Sequence, residues 1–209
     1  MNIVVLGGTG FIGPWVVRGP VAHGHDATVY HRGKRKADFP PTIRYISGNY
    51  RDIPRFGEDF RRLAPEVVLD MIPMTEQDAL NVMGSPVRQS RYPYRGKKMP
   101  SSLEWDFENY EKILVEKAFL SDPELPATIV RLPMVYGPGD LWHRVGAYLK
   151  QMDEGPEIRM EESCARWRGP LGYVEDVGAG VALAVMNERA AGRIYNIAEP
   201  GVRPDGRAD

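Results

Sequence analysis

The sequence predicts an α/β chain built on a doubly wound parallel sheet, and three observations carry that expectation. Short apolar runs, several rich in β-branched residues, recur at 2–6, 27–30, 43–46, 67–72 and 127–131, as strands buried on both faces require. Helix-spaced segments lie between several of them, and such alternation implies parallel pairing through right-handed crossovers. A glycine cluster, Gly7 to Gly13, falls where the first strand hands over to the first helix.

The elements follow in order. Residues 2–6 form the first strand. Phe11, Ile12, Trp15, Val16 and Val17 begin a helix that would run toward Gly24, interrupted at Gly19-Pro20 because proline removes a backbone donor. Ala27–Tyr30, Ile43–Ile46 and Val67–Ile72 are the next strands, the last entered from Phe60 to Pro65. The periodicity fails from about 80 to 100 and returns at Leu103, Phe107, Tyr110, Leu114 and Ala118, an amphipathic helix with Ser101 or Ser102 as its cap. Ala127–Arg131 reads as a buried strand. Helices near 141–152 and 175–187, a strand-like Glu157–Met160 and a last strand from Tyr195 complete the chain, with no internal repeat.

Composition narrows the function classes. The 209 residues carry 27 basic and 28 acidic side chains, a net charge of −1, so no global field draws the chain to nucleic acid or membrane. That length suits one domain, or one domain with a small lobe. The single cysteine, Cys164, excludes an internal disulfide and a multi-cysteine zinc site. No apolar window approaches the ~18 residues of a membrane span, and the N-terminus lacks a signal-peptide pattern, so a cytoplasmic location is expected. The 22 glycines and 18 prolines gather at 7–13, 40–41, 84–100, 133–139 and the tail.

The cluster Gly7-Gly8-Thr9-Gly10-Phe11-Ile12-Gly13 has the chemistry of a phosphate loop. One glycine permits the tight turn, a second lets backbone N–H groups approach a pyrophosphate, and a third lets helix and strand pack closely. The helix N-terminus adds unpaired donors and a positive dipole end. A dinucleotide cofactor is therefore expected. The loop after the second strand, Tyr30-His31-Arg32-Gly33-Lys34-Arg35-Lys36, offers no acid for a ribose 2′-OH before Asp38. Arg32 and Lys34 there suit a 2′-phosphate, favouring NADP with NAD as the alternative.

These residues, with Gly48-Asn49-Tyr50-Arg51-Asp52, Arg131-Leu-Pro-Met-Val-Tyr-Gly-Pro-Gly139 and Gly172-Tyr-Val-Glu-Asp-Val177, resemble the extended short-chain dehydrogenase/reductase family, which includes the NAD-dependent epimerases and dehydratases. The resemblance implies a Rossmann-type domain over 1–139 and a partial substrate-side lobe over 140–209, part of which returns to the core through 172–177. It implies that Asn49 contacts the adenine and Pro133 lies beside the nicotinamide ribose. It also implies that Lys112 is the ribose-binding lysine and the one catalytic candidate.

The chain departs from the family's pattern in two places. The family pairs its lysine with a tyrosine four residues earlier, a slot Glu108 occupies here, while Tyr110 is only two positions from Lys112. On a continuous helix that is about 200° around the axis, so Tyr110 reads as a core residue and Glu108 as an i,i+4 partner of Lys112. The family also follows its fourth strand with a helix and a strand ending in a catalytic Ser or Thr. No strand-like run occurs among the roughly 22 residues from Ile72 to Tyr94, and Ser85 and Ser90 follow no strand.

The remaining candidates are weaker. His23, His25, His31 and His143 lack metal-ligand spacing, and Cys164 beside Arg166 and Arg168 reads as an inert thiol. The pairs Glu161-Glu162 and Glu175-Asp176 diverge as adjacent residues do on a helix. Tyr92 and Tyr94 among Arg91, Arg95, Lys97 and Lys98, and Trp167 between two arginines, could stack on and neutralise single-stranded nucleic acid. The function expected is an NAD(P)-binding epimerase, dehydratase or reductase with a small carbonyl or nucleotide-sugar-type substrate. The alternative is a non-catalytic NAD(P)-sensing or RNA-binding relative, like the atypical chloroplast stem-loop RNA-binding members. A homo-oligomer is left open, and no membrane partner is expected.

Overall fold

The computed structural model of the chain describes residues 1–35, 37–84, 110–167 and 169–199. Four parallel strands form its central sheet in the order β3-β2-β1-β4: β1 (Asn2–Leu6), β2 (Asp26–His31), β3 (Arg44–Ser47) and β4 (Val67–Asp70). In register, Val4 stands between Thr28 and Val68, and Leu6 between Tyr30 and Asp70. Because side chains alternate along a strand, β1 supplies both faces. Ile3 and Val5 pack with Val17, Ala27, Val29 and Ile43 on one side. Val4 and Leu6 pack with Tyr30, Tyr50 and Ile53 on the other. Ile3 to Leu6 are at most 2% exposed, each such burial stabilising by about 1.5–3 kcal/mol.

The first face is covered by α1 (Gly13–Ala22) and α7 (Val174–Val185). These helices cross closely: a Cβ on Gly178 would lie 2.5 Å from Trp15 Cβ, and one on Gly19 would lie 2.6 Å from Ala182 Cβ. The second face is covered by a 3₁₀ segment (Tyr50–Phe56), α2 (Gly57–Leu63) and α3 (Glu76–Met83). A capping box closes the start of α3: Thr75 accepts from the Asp78 N–H, and the Asp78 carboxylate accepts from Thr75 N, leaving neither donor orphaned. α3 packs on α4 (Lys112–Phe119) through Ala79, Leu80, Val115 and Ala118.

Two short parallel ladders stand outside the central sheet: β5 (Ile129–Arg131) with β8 (Ile194–Asn196), and β6 (Met134–Tyr136) with β7 (Leu171–Tyr173). Between them lie α5 (Gly146–Glu154), α6 (Glu162–Ala165) and a short 3₁₀ turn (Glu188–Ala190).

Several expectations need correction. α1 does not break at Gly19-Pro20 but continues through Pro20 to Ala22; the proline sits in the last turn, where its missing N–H costs one bond and no further turn has to follow. The helix expected from 141 starts at Gly146, because Asp140 turns the chain first, accepting from the N–H groups of Trp142 and Arg144 and from Arg144 Nη1. Glu157–Met160 is not a strand. Among the described residues, no strand lies between β4 and β5. Residues 101–109 of the expected helix, with Glu108, lie outside the described residues, as do Ser85, Ser90, Arg168 and the basic-aromatic stretch 91–98.

Candidate functional site

The site forms at the carboxyl ends of β1, β2 and β4, where an open α/β sheet presents its crevice. Gly7 leaves β1 with φ +86, and a Cβ there would meet Ile72 Cγ1 at 2.5 Å. Its N–H donates to Tyr30 O, and the N–H of Gly10 donates back to Gly7 O at 3.1 Å, closing the turn that carries Thr9, Gly10, Phe11 and Ile12. Gly13 opens α1 directly against the loop: its Cβ position is 2.4 Å from Gly8 O. Ile12 stands at the cap with no side-chain bond to the helix start; its carbonyl accepts from the N–H groups of Trp15 and Val16, and Pro14 has no N–H, so the helix end offers its positive dipole and few free donors.

A cleft of about 290 Å³ opens on this loop, lined among others by Thr9, Gly10, Phe11, Arg18, Arg35 and Asp38, with Pro138 and Gly139 across it. Arg18 donates from Nη2 to Asp38 O and lies over the Trp15 ring, 5.3 Å from its centroid. The two arginines in this cleft were not singled out by sequence. The signal available was Arg18 at i+3 from Trp15, which puts both on one face of α1. Arg32 and Lys34, the sequence candidates, are exposed on the loop after β2 and do not line the cleft.

Asn49 follows β3 and is exposed; its Oδ1 caps the 3₁₀ segment by accepting from Arg51 N, while its carbonyl accepts from the Tyr30 hydroxyl at 2.7 Å. Pro133 sits between β5 and β6, its Cγ 2.6 Å from where a Gly172 Cβ would stand.

Lys112 is the first residue of α4 and partly buried, its Nζ donating to Pro73 O. Burial lowers its pKa, opposed by Asp70, Asp78 and Glu116. The ring of Tyr110 lies 5.7 Å from Lys112 Nζ. The expectation that Tyr110 and Lys112 face apart is therefore corrected. Tyr110 precedes the helix, with Glu111 as the cap between them, so the 100° step does not apply across it. Glu116, one turn beyond Lys112, is held by Arg131 through two bonds of 2.8 and 2.6 Å; those bonds push the Glu116 carboxyl below its usual range.

Beside Lys112 stand two residues given no role by sequence. Tyr50 donates its hydroxyl to Asp70 Oδ2, and Asp70 Oδ1 accepts from Ile72 N at 3.0 Å. Burial pushes the Asp70 carboxyl up to about 7, against the pull of these two bonds and of Lys112. Burial and the neighbouring Asp70 drive the Tyr50 hydroxyl far above its ordinary value, so Tyr50 is no substitute for the family's acid/base tyrosine.

The other candidates stay apart from this site. Cys164 is exposed, and neighbouring Arg166 pairs with Glu162. His23 Nδ1 is bonded to Gly19 O, and His25 Nδ1 to the amino terminus. Among the described residues there is no metal-binding group of three or more His, Cys, Asp or Glu. No helix among them is long and apolar enough to cross a membrane.

Comparison with known proteins agrees with this architecture. Residues 109–198 match the NAD dependent epimerase/dehydratase family. The chain is 25% identical to the 2′-dehydrokanamycin reductase of Streptomyces kanamyceticus, covering 95% of this chain and 62% of that protein. It is 23% identical to the chloroplast stem-loop binding protein of 41 kDa b of Arabidopsis thaliana, covering 99% and 61%. The chain thus spans about three fifths of the length of either relative. Its fold is that of the dTDP-glucose 4,6-dehydratase of Bacillus anthracis, solved in complex with NAD: TM-score 0.67, 14% identity, 95% of this chain and 75% of that one. The chain thus carries a segment similar to the NAD dependent epimerase/dehydratase family over residues 109–198, within a fold shared with that dehydratase.

Proposed function

We propose that the chain binds a nicotinamide dinucleotide, NADP in preference to NAD, and acts as an epimerase, dehydratase or reductase on a small carbonyl or nucleotide-sugar substrate. The observation that carries this reading is the β1–glycine loop–α1 unit, whose cleft is flanked by Arg18 and Arg35. Thr9, Phe11 and Ile12 would offer backbone donors to the pyrophosphate, while Gly7, Gly10 and Gly13 would shape the turn that lets it approach. Arg18 and Arg35, with Arg32 and Lys34 on the loop after β2, would meet the 2′-phosphate as charged donors. Asn49 would border the adenine, and Lys112 and Pro133 the nicotinamide ribose. Residues 1–139 would form the cofactor domain and 140–209 the substrate-side lobe. The dinucleotide, when bound, supplies the hydride acceptor and donor. The chain's own part is to bind and orient it and to place the Lys112 ammonium beside the reacting ring. The NAD held by the Bacillus anthracis dehydratase and the reductase activity named for the Streptomyces relative support this reading.

Fluorescence titration with NADPH and NADH tests it. NADPH binds more tightly, and Lys112→Ala weakens both about tenfold through loss of charge-assisted contacts. Saturation by neither dinucleotide would defeat the proposal. Incubation with dTDP-glucose and UDP-glucose, followed by product analysis, tests the substrate class. A second reading, stem-loop RNA binding without turnover, draws on the Arabidopsis relative. It carries less, because the basic-aromatic stretch 91–98 behind it lies outside the described residues. A salt-sensitive shift of stem-loop RNA, lost on neutralising Arg91, Arg95, Lys97 and Lys98, would revive it.

A further inference from the structure

Two titratable residues beside the glycine loop, Asp70 and Tyr50, have no part in the reading above. β4 ends at Asp70, paired in register with Leu6, the last residue of β1 before the loop; neighbouring strands lie about 4.8 Å apart. The Asp70 carboxylate closes a turn by accepting the Ile72 N–H at 3.0 Å, and the Ile72 side chain fills the space that a Cβ on Gly7 would need. Carboxylate, turn and phosphate loop are therefore in direct succession. The same turn is gripped from the far side: Lys112 Nζ donates to Pro73 O, and Asp78 Oδ2 accepts from Met74 N and Thr75 N at 3.0 Å each.

The groups that face Asp70 are Tyr50 from the 3₁₀ segment, Asp78 from α3 and Lys112 from α4. Glu116 faces Lys112 and is neutralised by Arg131, and the Tyr110 ring centroid lies 5.7 Å from Lys112 Nζ. Tyr50 keeps its proton at any working pH, since burial and the Asp70 charge both oppose its loss. The carboxyl held up to about 7 by burial is the group that exchanges a proton near neutrality.

We propose that Asp70 is the proton-linked residue of the dinucleotide site: an anionic pyrophosphate on the glycine loop drives Asp70 to take up a proton. The neutral carboxyl still accepts the Ile72 N–H and still bonds Tyr50, whose hydroxyl can turn from donor to acceptor. The turn therefore stays against Gly7 with no like charge beside the ligand. This inference rests on the dinucleotide reading. For a pyrophosphate within about a Debye length (~8–10 Å), at an effective dielectric of about 20, the repulsion shifts the Asp70 equilibrium roughly tenfold. By linkage, binding takes up about 0.4 proton at pH 7, and affinity falls by up to about tenfold from pH 6 to pH 9.

Isothermal titration calorimetry of the full chain with NADPH and with NADH, in buffers of high and low ionisation heat, reads the proton count directly. The wild type takes up a fraction of a proton at pH 7. Asp70→Asn loses that uptake and the pH-dependence it causes, the difference cancelling any proton the 2′-phosphate itself exchanges. Tyr50→Phe removes a donor from the carboxylate and moves the uptake to higher pH; should Asp70→Asn fail to fold, this shift carries the test, and an unmoved profile overturns the proposal. Saturable binding with the same proton count in the wild type and Asp70→Asn overturns it while leaving the dinucleotide reading standing. Binding of neither dinucleotide overturns both.

Discussion

Gly13→Ala puts one methyl group against the backbone of the glycine loop. The new Cβ would stand 2.4 Å from Gly8 O, 2.5 Å from Gly8 C and 2.7 Å from Gly8 Cα, whereas an ordinary carbon–oxygen contact needs about 3.3 Å. The loop must therefore retreat by roughly 0.9 Å, and Gly8 has little room behind it: its own Cβ position already lies 3.1–3.2 Å from Val17, Val29 and Val5. Overpacking costs about 1–3 kcal/mol, and contact with backbone puts this site at the upper end. Alanine's helix propensity at the start of α1 returns up to about 1 kcal/mol. The net loss is about 2 kcal/mol, or about 4–8 °C in melting temperature for a chain of this size. Displaced donors also lower dinucleotide affinity, by about tenfold or more. Differential scanning fluorimetry with and without NADPH measures both effects. Gly24→Ala serves as the control: at φ +78 with nothing within 4 Å, it costs about 1–2 kcal/mol of backbone strain and leaves affinity unchanged. A Gly13→Ala protein that melts within 1 °C of wild type and binds NADPH equally well would refute the packing reasoning.

Three further outcomes are expected. Arg18→Ala and Arg35→Ala each lower NADPH affinity about tenfold or more, the worth of a charge-assisted bond, while NADH titrations stay unchanged; an equal loss for both would remove the 2′-phosphate from this cleft. The folded Asp70 carboxyl, held at about 7, binds its proton more tightly than the unfolded chain does, so its contribution to stability is largest in acid and declines as pH rises from about 4 to about 7. The full shift is worth about 4 kcal/mol, reduced to about 2 by the solvent reaching this partly buried group; urea unfolding at pH 5 and pH 8 shows a slope that Asp70→Asn flattens. Asp140→Ala strips Arg144 of a 2.6 Å partner and two backbone N–H groups of theirs, costing about 2–4 kcal/mol and loosening the 140–145 turn to proteolysis.

The first half of the molecule was legible because its signals are local. β1, the glycine loop, β2 and β3 are each declared by a run of a few residues, and parallel pairing follows from the alternation of strands with helices. What escaped the sequence depends on partners far along the chain. β6 and β7 have three residues each and exist because they pair across more than thirty residues, whereas Glu157–Met160 has a strand's composition and no ladder to join. The cofactor-side charge was sought at Arg32 and Lys34, next to the strand that carries them. Arg18 and Arg35 reach the cleft only because α1 and the loop after β2 converge there. Tyr50 and Asp70 meet as a 3₁₀ segment folds over the end of β4, and nothing in either residue's neighbours announces it.

The close crossing of α1 and α7 also governs how the chain matures. α1 is complete at Ala22, but the helix that covers it begins at Val174. During synthesis at about 5–20 residues per second, the helix behind the glycine loop therefore waits about 8–30 s for its cover. Over that interval Val17 and Val21 lack part of their native shelter, and the long-range contact that settles them forms late. A nascent chain stopped short of α7 is accordingly the form most exposed to aggregation and to chaperone capture, although it already holds the whole glycine loop.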